Sequence, residues 1–175
     1  LMVGRLWGND GMPRDANERA ALAVDRIYRA NEKGIPSEDI FIDPIVTPIK
    51  GEINQVKACL ECMGMLKDIA PGCKSVVGIS NVSNGTPQHL RPILNRTYLM
   101  MLAHQGLAAA IVDACDAEIM ALCRNEIPEV SDCIEKLMRG EYDTAHQLPD
   151  TLRRYVKTYD VLTGASMYSD MWLDA

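Results

Sequence analysis

Four short β-rich runs recur along this chain at nearly constant spacing. They begin at residues 1, 40, 75 and 109, and each gap between them holds a helical pattern of apolar residues. The runs are Leu1–Trp7, Ile40–Val46, Ser75–Ser80 and Ala109–Val112. Strands that alternate with helices in this way are typical of βαβ units, whose strands lie parallel in one sheet. The sequence therefore predicts an α/β fold built on a parallel sheet.

The predicted helices carry clear start and stop signals. Asp15, with Glu18 three residues later, resembles a capping box, and Gly34 followed by Pro36 ends that helix. Pro92 stands at a favourable first helical position of the third helix. Further helices are predicted over 116–125, 129–139 and 149–163, and residues 166–175 show no periodicity.

The pattern leaves two architectures open. Four strand–helix units are half of a (β/α)8 barrel, which typically takes about 250 residues. An open doubly wound sheet is the alternative, and 175 residues suffice to complete one. Both architectures place ligand-binding groups at the carboxyl ends of the strands, so those ends are where functional residues are expected.

Composition excludes several classes of protein. An apolar fraction of 47% and a charged fraction of 24% are ordinary for a globular chain with a core. The net charge of −6 and the aromatic fraction of 5% argue against nucleic acid as a partner. No apolar run approaches the roughly 20 residues of a membrane span, so no membrane contact is expected.

The six cysteines and the start of the chain bear on where the protein works. No export signal is visible, so reduced thiols and a cytoplasmic location are expected. The sequence begins with Leu1 inside an apolar, strand-like run. We therefore expect the chain to be part of a longer natural protein.

Polar residues follow two of the predicted strands. Asp43 interrupts the apolar second strand, where it either bonds to local groups or accepts N–H bonds from a ligand. Asn81 and Asn84 follow the third strand, either as part of a polar turn or as ligand-binding amides. Arg91 opens the next helix, either as an ordinary surface arginine or as a group that binds an anion or a planar ligand.

Other tempting residues carry weaker signals. Cys59 and Cys62 have the spacing of metal ligands, but they lie within a predicted helix and lack a second ligand pair. The histidines, His89, His104 and His146, share no metal-ligand spacing. We therefore expect the protein to hold no metal of its own.

Taken together, the segments at the strand ends resemble a known family, the pterin-binding methyltransferases. The resemblance covers residues 1–125 and is closest to the methyltetrahydrofolate:corrinoid/iron–sulfur protein methyltransferases. In this chain the matching segments are IDPIVTP at 42–48, GISNVS at 78–83, RPILNRTYL at 91–99, AIVDACD at 110–116 and GMPRD at 11–15. Several motifs in the same order make the match specific.

The resemblance implies a fold and a set of site residues. It implies a (β/α)8 TIM barrel of the dihydropteroate-synthase type, of which residues 1–125 supply the carboxyl-terminal half and residues 126–175 a helical extension. It further implies that Asp43 pairs with the ring N–H and amino group of the pterin. Asn81 would be the catalytic residue that reaches N5, while Asn84 and Arg91 would lie around the substrate.

The resemblance also implies substrates and partners. Methyltetrahydrofolate or tetrahydrofolate would be the substrate, and the cobalt would belong to a corrinoid (cobalamin) carried by a partner protein. A homodimer is expected as well. Two alternatives stay open. One is a dihydropteroate synthase, although Ser80-Asn81-Val82 replaces the basic segment expected there. The other is a non-catalytic pterin-binding fragment.

Overall fold

A four-stranded parallel sheet forms the centre of the protein. The computed structural model describes residues 1–141 and 148–174, so His146 and Ala175 lie outside the described residues. The strands occur in the order β1-β2-β3-β4. Their bounds are β1 Met2–Arg5, β2 Ile40–Asp43, β3 Lys74–Gly78 and β4 Ala109–Ile111. The predicted α/β class and the parallel pairing of the strands are confirmed.

Six α-helices accompany the sheet in the described ranges. They are α1 Ala16–Glu32, α2 Ile49–Ile69, α3 Arg91–His104, α4 Ala117–Cys123, α5 Pro128–Met138 and α6 Asp150–Thr163. Asp15 caps α1 as predicted, because its Oδ1 accepts a hydrogen bond from the Glu18 N–H at 2.9 Å. Glu18 does not complete the expected capping box, since its carboxylate accepts from the Arg14 N–H instead.

The strands are shorter than predicted, and the reason is local. β2 ends at Asp43 rather than Val46, because Pro44 has no N–H to donate and Ile45 adopts a φ of 66°. After β3 the chain turns into a 3-10 helix at Ile79–Ser83 instead of continuing as a strand. Both departures lie at the carboxyl ends of strands, where the candidate residues stand.

The strand order bears on the two architectures that the sequence left open. Each connection moves one strand in the same direction along the sheet. Because crossovers between parallel strands are right-handed as a rule, the connecting helices are expected on one face. A doubly wound sheet instead reverses its strand order and carries helices on both faces. The strictly sequential order is compatible with four consecutive units of a (β/α)8 barrel.

One face of the sheet is covered and the other is open. Ile40, Ile42 and Val77 have at most 1% of their surface exposed and share a hydrophobic cluster with α1, α2 and α3. On the opposite face, Val3 is 56% exposed and Ile111 70% exposed. We call this second face the open face. It also carries Phe41, Asp43, Val76 and Gly78, and Arg5 and Lys74 lie on it by register.

The helices after residue 125 pack on the same core. Val130 and Ile134 of α5, with Tyr155 and Leu162 of α6, belong to the hydrophobic cluster that includes the sheet. The boundary at residue 125 stays a prediction. In the described ranges, no helix combines the length and the apolar character that crossing a membrane requires.

Candidate functional site

Asp43 is the last residue of β2, and its side chain is half-buried on the open face. Its Oδ1 accepts a hydrogen bond from the Ile45 N–H at 2.9 Å, which closes a tight turn directly after the strand. Burial raises the pKa of this carboxyl, while the Ile45 N–H and the charge of Arg5 oppose the rise. The other carboxylate oxygen has no partner among the described residues, so it can accept N–H bonds from a ligand.

Asn81 lies in the 3-10 helix after β3, and its side chain folds back over the end of that strand. A Cβ atom built on Gly78 would lie 3.6 Å from Asn81 Nδ2. Gly78 is on the open face, two residues further along β3 than the position opposite Asp43. The carboxylate of Asp43 and the amide of Asn81 therefore stand at the carboxyl ends of adjacent strands and above the same sheet face.

The turn after β3 is held by its own side chains. Ser83 is fully buried, and its hydroxyl donates to the Ser80 carbonyl at 3.1 Å. Arg91, at the start of α3, donates from Nε to that same hydroxyl oxygen at 3.1 Å. Arg91 thus anchors the turn that carries Asn81. Asn84 is exposed at the end of this turn, and its N–H donates to the Asn81 carbonyl at 3.1 Å.

Two further residues at this edge were missed from the sequence. Arg5 is the register partner of Asp43, so its cation stands on the neighbouring strand beside the carboxylate. Thr47, in the loop after β2, has a buried Oγ1 atom with no hydrogen-bond partner among the described residues. A buried hydroxyl without a partner is costly, which makes Thr47 a candidate ligand contact. The position of Arg5 beside Asp43 follows only from the register of β1 and β2, which the sequence does not give. A single threonine in a loop has no sequence pattern that would mark it as a ligand contact.

A groove of about 580 Å³ lies apart from the four candidate residues. It is lined by the loop of residues 8–14 and by the outer surface of α1. None of Asp43, Asn81, Asn84 and Arg91 lines it. The candidate residues stand instead at the rim of the open face.

The discounted metal and redox residues have ordinary structural surroundings. Cys59 and Cys62 are buried within α2, and burial raises the pKa of their thiols to about 12 and about 11. Thiols of this kind are poor metal ligands and poor nucleophiles. Across the described residues, no group of three or more histidines, cysteines or carboxylates is arranged to hold a metal ion.

Comparison with known proteins finds distant relatives, among them the two that follow, whereas no protein-family model matches the chain. A methylcorrinoid:tetrahydrofolate methyltransferase of Eubacterium limosum is 22% identical over 119 residues, covering 68% of this chain and 43% of that protein. A methionine synthase of Mycobacterium tuberculosis is 25% identical over 166 residues, covering 92% of this chain and 13% of that protein. The chain thus spans less than half the length of either relative.

These similarities agree with the coarse part of the resemblance noted in the sequence. Both relatives are named as enzymes of methyl-group metabolism, and identities of 22% and 25% do not single out one member for this chain. The matched segment of the first relative is of a length that can hold the four strand–helix units.

Proposed function

We propose that this chain is part of a methyltransferase that moves a methyl group between N5 of methyltetrahydrofolate and the cobalt of a corrinoid protein. The observation that carries the proposal is the placement of Asp43 and Asn81 above one sheet face, at the carboxyl ends of adjacent parallel strands. Parallel α/β folds bind their ligands at this edge. The distant relatives supply the reaction class.

Asp43 suits the amidine-like edge of a pterin. An ionised carboxylate offers only acceptors, and a ring N–H beside an amino group offers two parallel donors. The turn bond from Ile45 uses one acceptor site on Oδ1 and holds the carboxylate in place. The second oxygen and the remaining lone pair stay available for the two ligand donors.

Asn81 suits the nitrogen that loses the methyl group. As the carbon–nitrogen bond breaks, N5 leaves with its electron pair, and it must gain a proton or a strong hydrogen bond. A carboxamide can donate or accept by rotating, so Asn81 can follow this change without supplying the proton. Hydrogen bonds that strengthen toward the transition state raise the rate. The corrinoid of the partner protein supplies the cobalt that accepts or donates the methyl group.

The open face supports the proposal that further chain completes a barrel. Parallel sheets occur almost only with both faces covered, and here one face exposes Val3 and Ile111. In a (β/α)8 barrel this face would be the packed interior, and the pterin would lie across its rim. The remaining pterin ligands would then come from strands outside this chain.

Two other functions predict different behaviour at the same site. A dihydropteroate synthase must stabilise departing pyrophosphate, and neutral Ser80, Asn81 and Val82 follow β3 where a basic segment would serve that purpose. A non-catalytic pterin-binding protein would need Asp43 but would have no use for Asn81. An assay of methyl transfer therefore distinguishes the three proposed functions.

The direct test incubates the full-length natural protein with methyltetrahydrofolate and free cob(I)alamin. Formation of methylcobalamin is followed by absorbance. We expect transfer in the wild-type protein, with a rate that falls strongly in Asn81→Ala. Folate binding without transfer would favour the non-catalytic reading, and product formation from a pterin pyrophosphate and p-aminobenzoate would favour the synthase.

A further inference from the structure

Arg19 is a fully buried cation that bonds only to neutral groups. It lies on α1 with none of its surface exposed. Its guanidinium donates to the Pro44 carbonyl at 3.0 Å, to the Gln55 Oε1 at 2.6 Å and to the Asp15 carbonyl at 3.4 Å. Among the described residues none of its hydrogen-bond partners is a carboxylate. Burying a charge without a counter-ion is costly, and an apolar residue of similar size would serve packing better.

The bond to Pro44 links Arg19 to Asp43 through one peptide group. The carbonyl of that group belongs to Pro44 and accepts from Arg19 Nε. The N–H of the same group belongs to Ile45 and donates to Asp43 Oδ1 at 2.9 Å. In a trans peptide the C=O and N–H point in opposite directions, so fixing one end aims the other. Hydrogen bonds in such a chain polarise and strengthen one another.

The backbone at this peptide is strained, so something must hold it. Ile45 has a φ of 66°, a conformation that a β-branched residue adopts only at a cost. Strain of this kind persists only where surrounding contacts impose it. The buried bond from Arg19 to the Pro44 carbonyl is such a contact, because it fixes the peptide that precedes Ile45.

Gln55 extends the arrangement to a second loop. Its Oε1 accepts from Arg19, and its Nε2 donates to the Pro13 carbonyl at 3.0 Å and to the Arg14 carbonyl at 3.3 Å. The loops after β1 and β2 are therefore tied to the same pair of side chains. Both loops lie at the edge of the sheet that carries Asp43.

We propose that Arg19 is a positioning residue for Asp43, acting through the peptide group between Pro44 and Ile45. Arg19 holds that peptide so that the Ile45 N–H fixes one carboxylate oxygen and favours its ionised form. The inference deepens the proposed function and rests on it only for the ligand, since the effect on the carboxylate needs no ligand. The cation of Arg5 on β1 also favours ionisation of Asp43. The charge of Asp43 in turn contributes to the raised pKa of the buried Cys59 thiol on α2.

The test compares Arg19→Met and Arg19→Lys with Arg26→Met in the full-length natural protein. Arg26 is a matched control, because it lies on the same helix and also donates to a backbone carbonyl, that of Trp7 at 2.9 Å. The carboxyl pKa of Asp43 is read by carbon-13 NMR titration, with the Asp43→Asn variant identifying its signal. The Kd for methyltetrahydrofolate is read by calorimetry.

We expect Arg19→Met to raise the pKa of Asp43 and to weaken folate binding about tenfold, the equivalent of one lost hydrogen bond. Arg19→Lys should lie between this variant and the wild type, since an ammonium can still donate to the Pro44 carbonyl. Arg26→Met should match the wild type. A folded Arg19→Met protein with an unchanged Asp43 pKa would overturn the proposal.

Two other outcomes are also decisive. If Arg19→Met does not fold, Arg19→Lys is judged by the same readouts, and failure of both to fold would assign Arg19 a purely structural role and overturn the proposal. A wild-type protein that binds no folate, but whose Asp43 pKa responds to Arg19, would remove the proposed function and leave the positioning role standing.

Discussion

The carboxylate of Asp43 is held in surroundings that disfavour its charge. Burial raises its pKa, although the Ile45 N–H and Arg5 lower it in part. A raised pKa means that the folded protein prefers the neutral acid. The resulting stability is full below the ordinary aspartate pKa of about 4 and is lost as the pH rises through the folded pKa. The ionised carboxylate of Asp43 therefore lowers the unfolding free energy at neutral pH.

Asp43→Asn tests whether the charge of Asp43 lowers folding stability while the carboxylate serves ligand binding. Asparagine keeps an Oδ1 acceptor for the Ile45 N–H but removes the charge. We expect a higher unfolding temperature than wild type at neutral pH, with the difference vanishing in acid. Folate binding should weaken by about 2 kcal/mol, roughly 30-fold in Kd, because a donor replaces an acceptor facing the ligand. Asp68→Asn, an exposed carboxylate on α2, serves as the charge-matched control.

Asn81→Ala separates catalysis from binding. Loss of a group that acts in the transition state lowers kcat by about a hundredfold while the Kd for methyltetrahydrofolate changes little. Single-turnover methyl transfer and calorimetry measure the two quantities. A rate equal to that of the wild type would show that the amide takes no part in the reaction.

Helix α4 is joined to α3 by an ion-pair cluster around Asp116. Asp116 caps α4, accepting from the N–H groups of Glu118 and Ile119, both at 3.1 Å. It also pairs with Arg96 of α3, whose Nη2 lies 2.5 Å from Asp116 Oδ1. Arg96 further binds Glu118, which accepts from the Tyr155 hydroxyl at 2.5 Å. The cluster connects α3, α4 and α6.

Substitutions at Asp116 separate its two roles. Burial alone would raise the pKa of Asp116, but Arg96 and the α4 N–H groups outweigh it and lower the pKa. The stability that this adds is present above about pH 4 and is lost as the pH falls through the lowered pKa. Asp116→Asn keeps a side-chain oxygen that can cap α4 but loses the charge. We therefore expect its free energy of unfolding to fall less than that of the wild type as the pH is lowered. Asp116→Ala should cost about 1 kcal/mol more. Denaturant unfolding between acid and neutral pH measures the unfolding free energy of both variants. Equal free energies for the two variants at every pH would show that capping by Asp116 adds no stability of its own.

The helices and the parallel order were predictable from the sequence, whereas the strand ends were not. Regular apolar spacing locates α1, and Asp15 and Gly34 mark its ends, because these signals are local. The early end of β2 depends on the φ of Ile45, which no local pattern encodes. The position of Arg19 in the helical pattern could have marked it in the sequence. It lies on the same face of α1 as Ala16 and Ala23, and a charged residue among buried alanines indicates an unusual role.

The open sheet face bears on the proposal that further chain closes a barrel. Val3 and Ile111 are exposed in this chain, and substitution of exposed residues changes stability by less than about 0.5 kcal/mol. If further chain closes a barrel over this face, both side chains lie in its interior. Burying an unpaired carboxylate there would cost several kcal/mol.

Ile111→Asp in the full-length natural protein is the corresponding prediction. We expect it to unfold the protein or to reduce its unfolding free energy by about 3 kcal/mol or more. Met167→Asp, at a position that is 91% exposed outside the sheet, should have little effect. Chemical denaturation of the two variants measures the difference, and equal stabilities would argue against a covered face.

The central claim is that a folate ring lies at the carboxyl ends of β2 and β3, between Asp43 and Asn81. A structure of the full-length natural protein with bound methyltetrahydrofolate tests it most directly. We expect the Asp43 carboxylate about 2.9 Å from the ring N–H nitrogen and the Asn81 amide facing N5. A folate bound elsewhere, with these two side chains making no contact to it, would contradict the account.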